Sequence, residues 1–219
     1  MKKSIFFTAF FILLLTGSFA QSSIWNTEGF TRTEDIIIID ELTESSGMQK
    51  GNLIFSKAKG FISFSAINTI NNRSLEKLKT EASIRGASHI HITDQSIENS
   101  VFSKSSMYTA RLYKERKIDP NQARTILAGK KLTIGMGKKY SRNGWKASTT
   151  FQTTEIDINS NDPVEEKNGR IYLKQNNKNG KDTSYKNVYE IIAIDESKML
   201  LFQERKKGTK FSLLGVSIQ

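Results

Sequence analysis

His89 and His91 are the only histidines in the chain. Residues two apart in an extended strand point to the same side, so the pair presents two imidazoles to one face. That is a half-site for zinc or copper, needing one or two further ligands. Thr93 continues the face and is a poor ligand, while Asp94 points the other way. The competing reading places both imidazoles on the outer side of a sheet whose inner side is Ile90 and Ile92. As exposed imidazoles they would also titrate near neutral pH. No cysteine occurs, which removes thiol nucleophiles, zinc–thiolate sites and iron–sulfur clusters.

A second constellation is basic. Lys138, Lys139, Arg142 and Lys146 surround Tyr140 and Trp145. Cations interleaved with aromatics can hold an anionic glycan, a lipid headgroup or a nucleic-acid strand. Trp145 also reads as a core residue opening a strand after Asn143-Gly144. Alternation puts Lys138 and Lys139 on opposite faces, so at most one of that pair contributes strongly. Gly135-x-Gly137-Lys138 looks like a phosphate-loop fragment, but Leu132 stands where the motif needs glycine and Lys139 replaces its Ser/Thr. Glycines within an alternating strand mark a bulge or a bend instead. No nucleophile elbow of the form Gly-x-Ser-x-Gly is present. Paired-carboxylate hydrolysis is open in principle, yet Asp157, Glu165, Glu166 and Asp195 fall at strand ends and in loops. The expectation is a non-enzyme without a resident cofactor.

Residues 1–20 say where the chain works. Lys2 and Lys3 form a positive n-region, Ile5 to Leu15 an apolar h-region broken only by Thr8, and Gly17-Ser18-Phe19-Ala20 a small-residue cleavage site. This is the pattern of a secretory signal peptide, too short to span a bilayer, which needs about 20 apolar residues. The expected mature start is Gln21, in the periplasm or outside the cell, and no later stretch is long and apolar enough for a membrane span.

Net charge is +11, and removal of the two signal lysines leaves +9. Residues 21–119 hold 13 basic against 12 acidic side chains, whereas residues 120–219 hold 18 against 10. The basic half suits anionic lipid, lipopolysaccharide or glycan; export makes nucleic acid a poor partner. Solubility alone is the blander account of the same charge. Oligomeric state leaves no trace in the sequence.

These residues need elements to position them. Ile36–Ile39 reads as a strand buried on both faces, with Asn52–Lys57 and Phe61–Ile67 as further strands. Ser74 reads as the cap of a helix in which Leu75, Leu78, Ala82 and Ile84 line one face, and Gly86 ends it with a positive φ. Ser88–Thr93 and Met107–Tyr113 follow as strands. Asp119 caps a short helix with Pro120 at its first position, running to Ala128 and stopping at Gly129. The rest alternates as strands: Leu132–Tyr140, Trp145–Ile158, Arg170–Gln175, Val188–Ile194, Met199–Glu204 and Phe211–Ile218. Loops rich in Asn, Gly, Asp and Lys, as at Asn176–Asp182, separate them. Arg205-Lys206-Lys207-Gly208 with Lys210 reads as a solvated basic hairpin turn, and Asp195–Lys198 as a hairpin loop.

The pattern Leu75-x-x-Leu78-x-x-x-Ala82-x-x-x-Gly86-Ala87-x-x-Ile90-x-Ile92, followed by Ala110-x-x-Tyr113-Lys114, resembles a helix–Gly-Ala–strand unit of small bacterial envelope domains. The heavy-metal-binding, dodecin-like and envelope stress-sensor lipoprotein families carry that unit. The resemblance covers residues 71–114 and implies a helix packed on a small sheet. Disulfide signalling and a metal-ligand motif do not carry over, because the cysteines and the ligand pattern are missing. Residues 130–219, with the pair Tyr189–Asp195 and Met199–Phe202, resemble short exported lipocalin-like domains in a generic way.

The fold expected is therefore an α+β domain over 21–119, a small sheet with one helix. An all-β antiparallel meander or small open barrel over 120–219 follows it. The function expected is an exported envelope binding or interaction module for an anionic or lipophilic ligand. A metal-handling protein using His89 and His91 and an envelope hydrolase are the alternatives.

Overall fold

The computed structural model describes residues 24–60, 66–176 and 188–219. The signal-like segment, the Asn176–Asp182 loop beyond Asn176 and most of Phe61–Ile67 lie outside them. Two sheets follow in chain order. The smaller holds β1 (Ile37–Ile39), β2 (Gln49–Lys59), β3 (His89–Asn99) and β4 (Lys104–Lys114), in the order β1-β3-β4-β2. β1 runs parallel to β3 and the other pairs are antiparallel. A 3-10 turn at Leu42–Ser45 joins β1 to β2. Helix α1 (Ile67–Ile84) packs one face of this sheet, burying Leu78 and Ala82 with Ile36, Ile54, Ile90, Tyr108 and Leu112.

Helix α2 (Pro120–Leu127) then leads into an antiparallel sheet of β5 (Leu132–Ser141), β6 (Ser148–Ile156), β7 (Val164–Lys167), β8 (Arg170–Leu173), β9 (Glu190–Ile194), β10 (Lys198–Lys206) and β11 (Lys210–Ile218). Its order is β6-β5-β11-β10-β9-β8-β7, so β11 returns to sit between β10 and β5 and the sheet does not close into a barrel. The architecture is α+β and mostly β, as the sequence pattern predicts. The α2 boundaries also follow the sequence. Asp119 accepts from the Asn121 N–H at 3.0 Å, and Gly129 sits at φ +68°.

Several expectations are corrected. Helix α1 begins at Ile67, seven residues before Ser74. Asn68, Asn71 and Asn72 are weak helix formers, but Ile70 is fully buried, and Asn71 Oδ1 accepts from the Ser106 and Tyr108 hydroxyls at 2.8 and 2.7 Å. Ser74 is a buried mid-helix residue, with its hydroxyl 3.0 Å from Ser56 Oγ and donating to the Ser106 carbonyl at 3.1 Å. The Ile36–Ile39 run is not buried on both faces: Ile37 is 52% exposed, because β1 is an edge strand. Ile84 leaves the face shared by Leu75, Leu78 and Ala82 and packs on the larger sheet. Trp145 opens no strand. It sits in the β5–β6 turn at φ +52°, its N–H bonded to the Ser141 carbonyl at 2.9 Å.

The most consequential correction concerns β5. Strict alternation predicts Leu132, Ile134, Met136 and Tyr140 on one face. The register against β11 pairs Val216 with Ile134 but Gly215 with Met136, so Gly135 is an extra, bulged residue. A bulge exchanges the faces of everything after it. Leu132 and Ile134 therefore face the core that holds α2, while Tyr140 joins the opposite cluster and Lys139 comes round to the α2 side.

The larger sheet buries both faces. On one, Ala123 and Leu127 of α2 pack with Leu132, Ile134, Ile171, Met199, Leu201 and Val216. On the other, Ile192, Leu200, Phe202, Phe211 and Leu213 pack with Trp145 and with Ile84 at the end of α1. Trp25 and Phe30 join this second cluster, although they precede the smaller sheet in sequence.

Candidate ligand-binding cleft

The core around α2 fills only part of its face of the larger sheet. Beyond Ile134 and Leu214 the same face opens into a cleft of about 680 Å³, within the range of about 300–1,000 Å³ common to ligand pockets. Its floor is apolar: Ile134, Leu214 and Tyr189. Thr150, Gln152, Gln203 and Ser212 add hydroxyls and amides to the walls. Lys139, Arg205, Lys206 and Lys210 add four cations.

Strand register explains the convergence. Lys139 on β5 pairs with Ser212 on β11, and Lys210 on β11 pairs with Lys206 on β10. Gln203 pairs with Ser212 and shares its face, Arg205 is the extra residue of a bulge between Glu204 and Lys206, and Glu204, opposite Phe211, points away and accepts from the Gly208 N–H in the β10–β11 turn. The lining, among the described residues, therefore carries four cations and no carboxylate. Like charges gathered without counterions repel one another and attract an anion, and the low-dielectric floor focuses that field.

The six residues singled out from the sequence separate. Lys139 lines the cleft. Lys138 lies on the opposite face with its ammonium 4.5 Å from the Trp25 ring centroid, and burial pushes its amine below the usual range. Tyr140 is packed 6.3 Å from Trp145, and burial pushes its hydroxyl up to about 12. Trp145 is 6% exposed and stacks on Phe211 at 5.3 Å between centroids. Arg142 donates to the Gly208 carbonyl at 3.1 Å, tying the β5 end to the β10–β11 turn. Lys146 is exposed in the β5–β6 connection. Arg205, Lys206 and Lys210, read from sequence as a solvated turn, are the cleft's other cations. Only the β5–β11 pairing brings them to Lys139, and that pairing joins residues some seventy positions apart.

His89 and His91 share the face of β3 opposite Ile90, as alternation requires. His89 is buried and His91 is half-buried. His89 is 7% exposed with Nδ1 2.9 Å from Ser88 Oγ, and His91 Nδ1 is buried with no hydrogen-bond partner. Across the sheet they face Ile37 and Ile39 on β1 and Tyr113 and Arg111 on β4, none a carboxylate. Among the described residues no group of three or more His, Asp or Glu side chains is assembled to hold a metal ion. Among the described residues no helix is long and apolar enough to cross a membrane.

A second polar region lies where the two sheets meet. The register of β9 against β10 pairs Leu200 with Ala193 and Leu201 with Ile191, leaving Ile192 bulged between them. The Lys114 ammonium donates to the Ile192 carbonyl at 2.9 Å, and Gly86 lies against the Ile192 side chain. Burial lowers the Lys114 amine to about 8, with Glu190 opposing the shift. Glu190 meets Arg170 at 3.4 Å, and its carboxyl is raised, chiefly by burial.

The chain matches no family model, no curated protein and no solved structure. Its class rests on its own geometry: an α+β protein whose open antiparallel sheet carries a basic cleft over an apolar floor.

Proposed function

We propose that this chain is an exported envelope protein that binds an anionic amphiphile in the cleft of its larger sheet. The polar headgroup meets Lys139, Arg205, Lys206 and Lys210, and the apolar portion lies on Ile134, Leu214 and Tyr189. The observation that carries the reading is the cleft lining, four cations and no carboxylate above an apolar floor. The excess of basic residues in positions 120–219 supports it, and the signal-like residues 1–20 support the exported setting.

The test is calorimetric titration with decanoate, with decanol as the neutral control. Decanoate should bind at least tenfold tighter than decanol at 0.1 M salt. The difference should shrink at 1 M, where the Debye length falls from about 10 Å to about 3 Å. Lys139→Gln with Arg205→Gln should weaken decanoate at least tenfold and leave decanol unchanged. Equal binding of the two probes, or indifference to salt, overturns the proposal.

A further inference from the structure

A cavity of about 140 Å³ lies in the seam between the sheets, away from the cleft. Arg85 and Ala87 at the end of α1, Leu112 and Lys114 on β4, and Arg170 and Glu190 of the larger sheet contribute to its wall. A cavity of about this size holds a molecule of roughly six heavy atoms.

The charges around it do not balance. Arg85 is matched by the buried Glu81 at 3.0 Å, and Arg170 meets Glu190 at 3.4 Å. Lys114 has a neutral carbonyl, that of Ile192, as its hydrogen-bond partner. An ammonium has three N–H donors, and the Ile192 carbonyl takes one. Two cations, Lys114 and Arg170, therefore share one carboxylate, Glu190. A desolvated cation in that position gains more from an anion than from water. Leu112, Ile171 and Ile191 supply apolar wall for a short carbon chain.

We infer that the seam cavity is a second binding site, one that takes a small organic carboxylate of about two to four carbons. The carboxylate sits against Lys114, the carbon chain lies along Leu112 and Ile171, and occupancy clamps the two sheets together. The site is independent of the amphiphile cleft.

The probe is propionate, with propionamide as its neutral counterpart of the same shape, followed by amide and methyl NMR shifts on the full mature chain. Propionate should move the signals of Lys114, Gly169, Ile171 and Ile191, saturate in the millimolar range, and bind at least tenfold tighter than propionamide. Lys114→Met should cost at least tenfold. Arg170→Met, folding being checked by circular dichroism, provides a second variant with a loss in the same direction. Pre-saturation with decanoate should leave the propionate isotherm unchanged, which separates this site from the cleft. Absent seam shifts, equal binding of propionamide, or full propionate affinity in both folded variants overturns the inference.

Discussion

Lys114 carries its charge where water reaches it poorly, and the fold bears that cost at neutral pH. Its amine titrates near 8 when folded against 10.5 when free. Between those values the folded amine is neutral while the unfolded one still binds a proton, so raising the pH through the window stabilises the fold. Below about 8 both states are protonated and the whole penalty is present. Glu190, Arg170, Arg85 and Lys50 surround the same cavity. Urea midpoints should therefore rise between about pH 7.5 and 9.5, by up to about 1 kcal/mol per pH unit. Lys114→Met should flatten that slope. A slope retained in the variant would assign the titration to another group. Gly86 bears on the same seam. It sits at φ +71°, and a Cβ there would lie 2.8 Å from Ile192 Cβ and 3.2 Å from its carbonyl oxygen. Gly86→Ala should cost at least about 1 kcal/mol from backbone conformation alone, with the clash added. Chemical denaturation measures it, and an unchanged midpoint would contradict the packing. The positive φ of Gly86 was readable in sequence, because a helix end signals locally. Its contact with Ile192 was not, because nothing near either residue announces the other.

The same division runs through the elements. Helix α2 was legible to within a residue, since Asp119, Pro120 and Gly129 are local signals with local physics. Asp119→Ala should cost about 1 kcal/mol, seen as a lowered melting temperature with the same unfolding slope. Helix α1 was half legible. Leu75, Leu78 and Ala82 declared their face, but the start at Ile67 is held by burial of Ile70 and by the Asn71 bonds to Ser106 and Tyr108, which are tertiary. Strand β5 was legible as a strand and misread in its faces. Gly135 could be recognised as a bulge candidate, yet the consequence for Met136, Tyr140 and Lys139 emerges only with the β11 register. That consequence decides the cleft, because it turns Lys139 toward Arg205 and Lys210. One alanine inserted between Gly137 and Lys138 should send Lys139 to the opposite face and turn Lys138 and Tyr140 toward the α2 core. The expected loss is more than about 3 kcal/mol, or failure to fold, measured by thermal melting. An insertion variant with wild-type stability would contradict the β5–β11 register.

At the scale of the molecule, composition divides the chain near residue 119, whereas packing joins what composition divides. Ile84 of α1 is buried with Leu200, Phe202, Phe211 and Leu213 of the larger sheet, and the chain just before β1 adds Trp25 and Phe30 to that cluster. Arg85 stands 5.1 and 5.3 Å from the Phe202 and Phe211 ring centroids while paired with Glu81. Lys77 reaches from α1 to the Asn143 carbonyl in the β5–β6 turn at 2.8 Å, and Gln49 donates to the Gly169 carbonyl at the β7–β8 turn. Contacts of this density between two sheets should make their unfolding one event. The chain's two tryptophans, Trp25 and Trp145, both lie in the shared cluster, so their fluorescence reports the interface, whereas far-UV circular dichroism reports both sheets. The two denaturation curves should coincide. Ile84→Ala should cost about 2–5 kcal/mol and move both curves together, because the cavity it leaves belongs to both sheets at once. If dichroism instead loses a fraction of its amplitude before the fluorescence changes, the smaller sheet unfolds alone, and the seam is a contact between separate folding units.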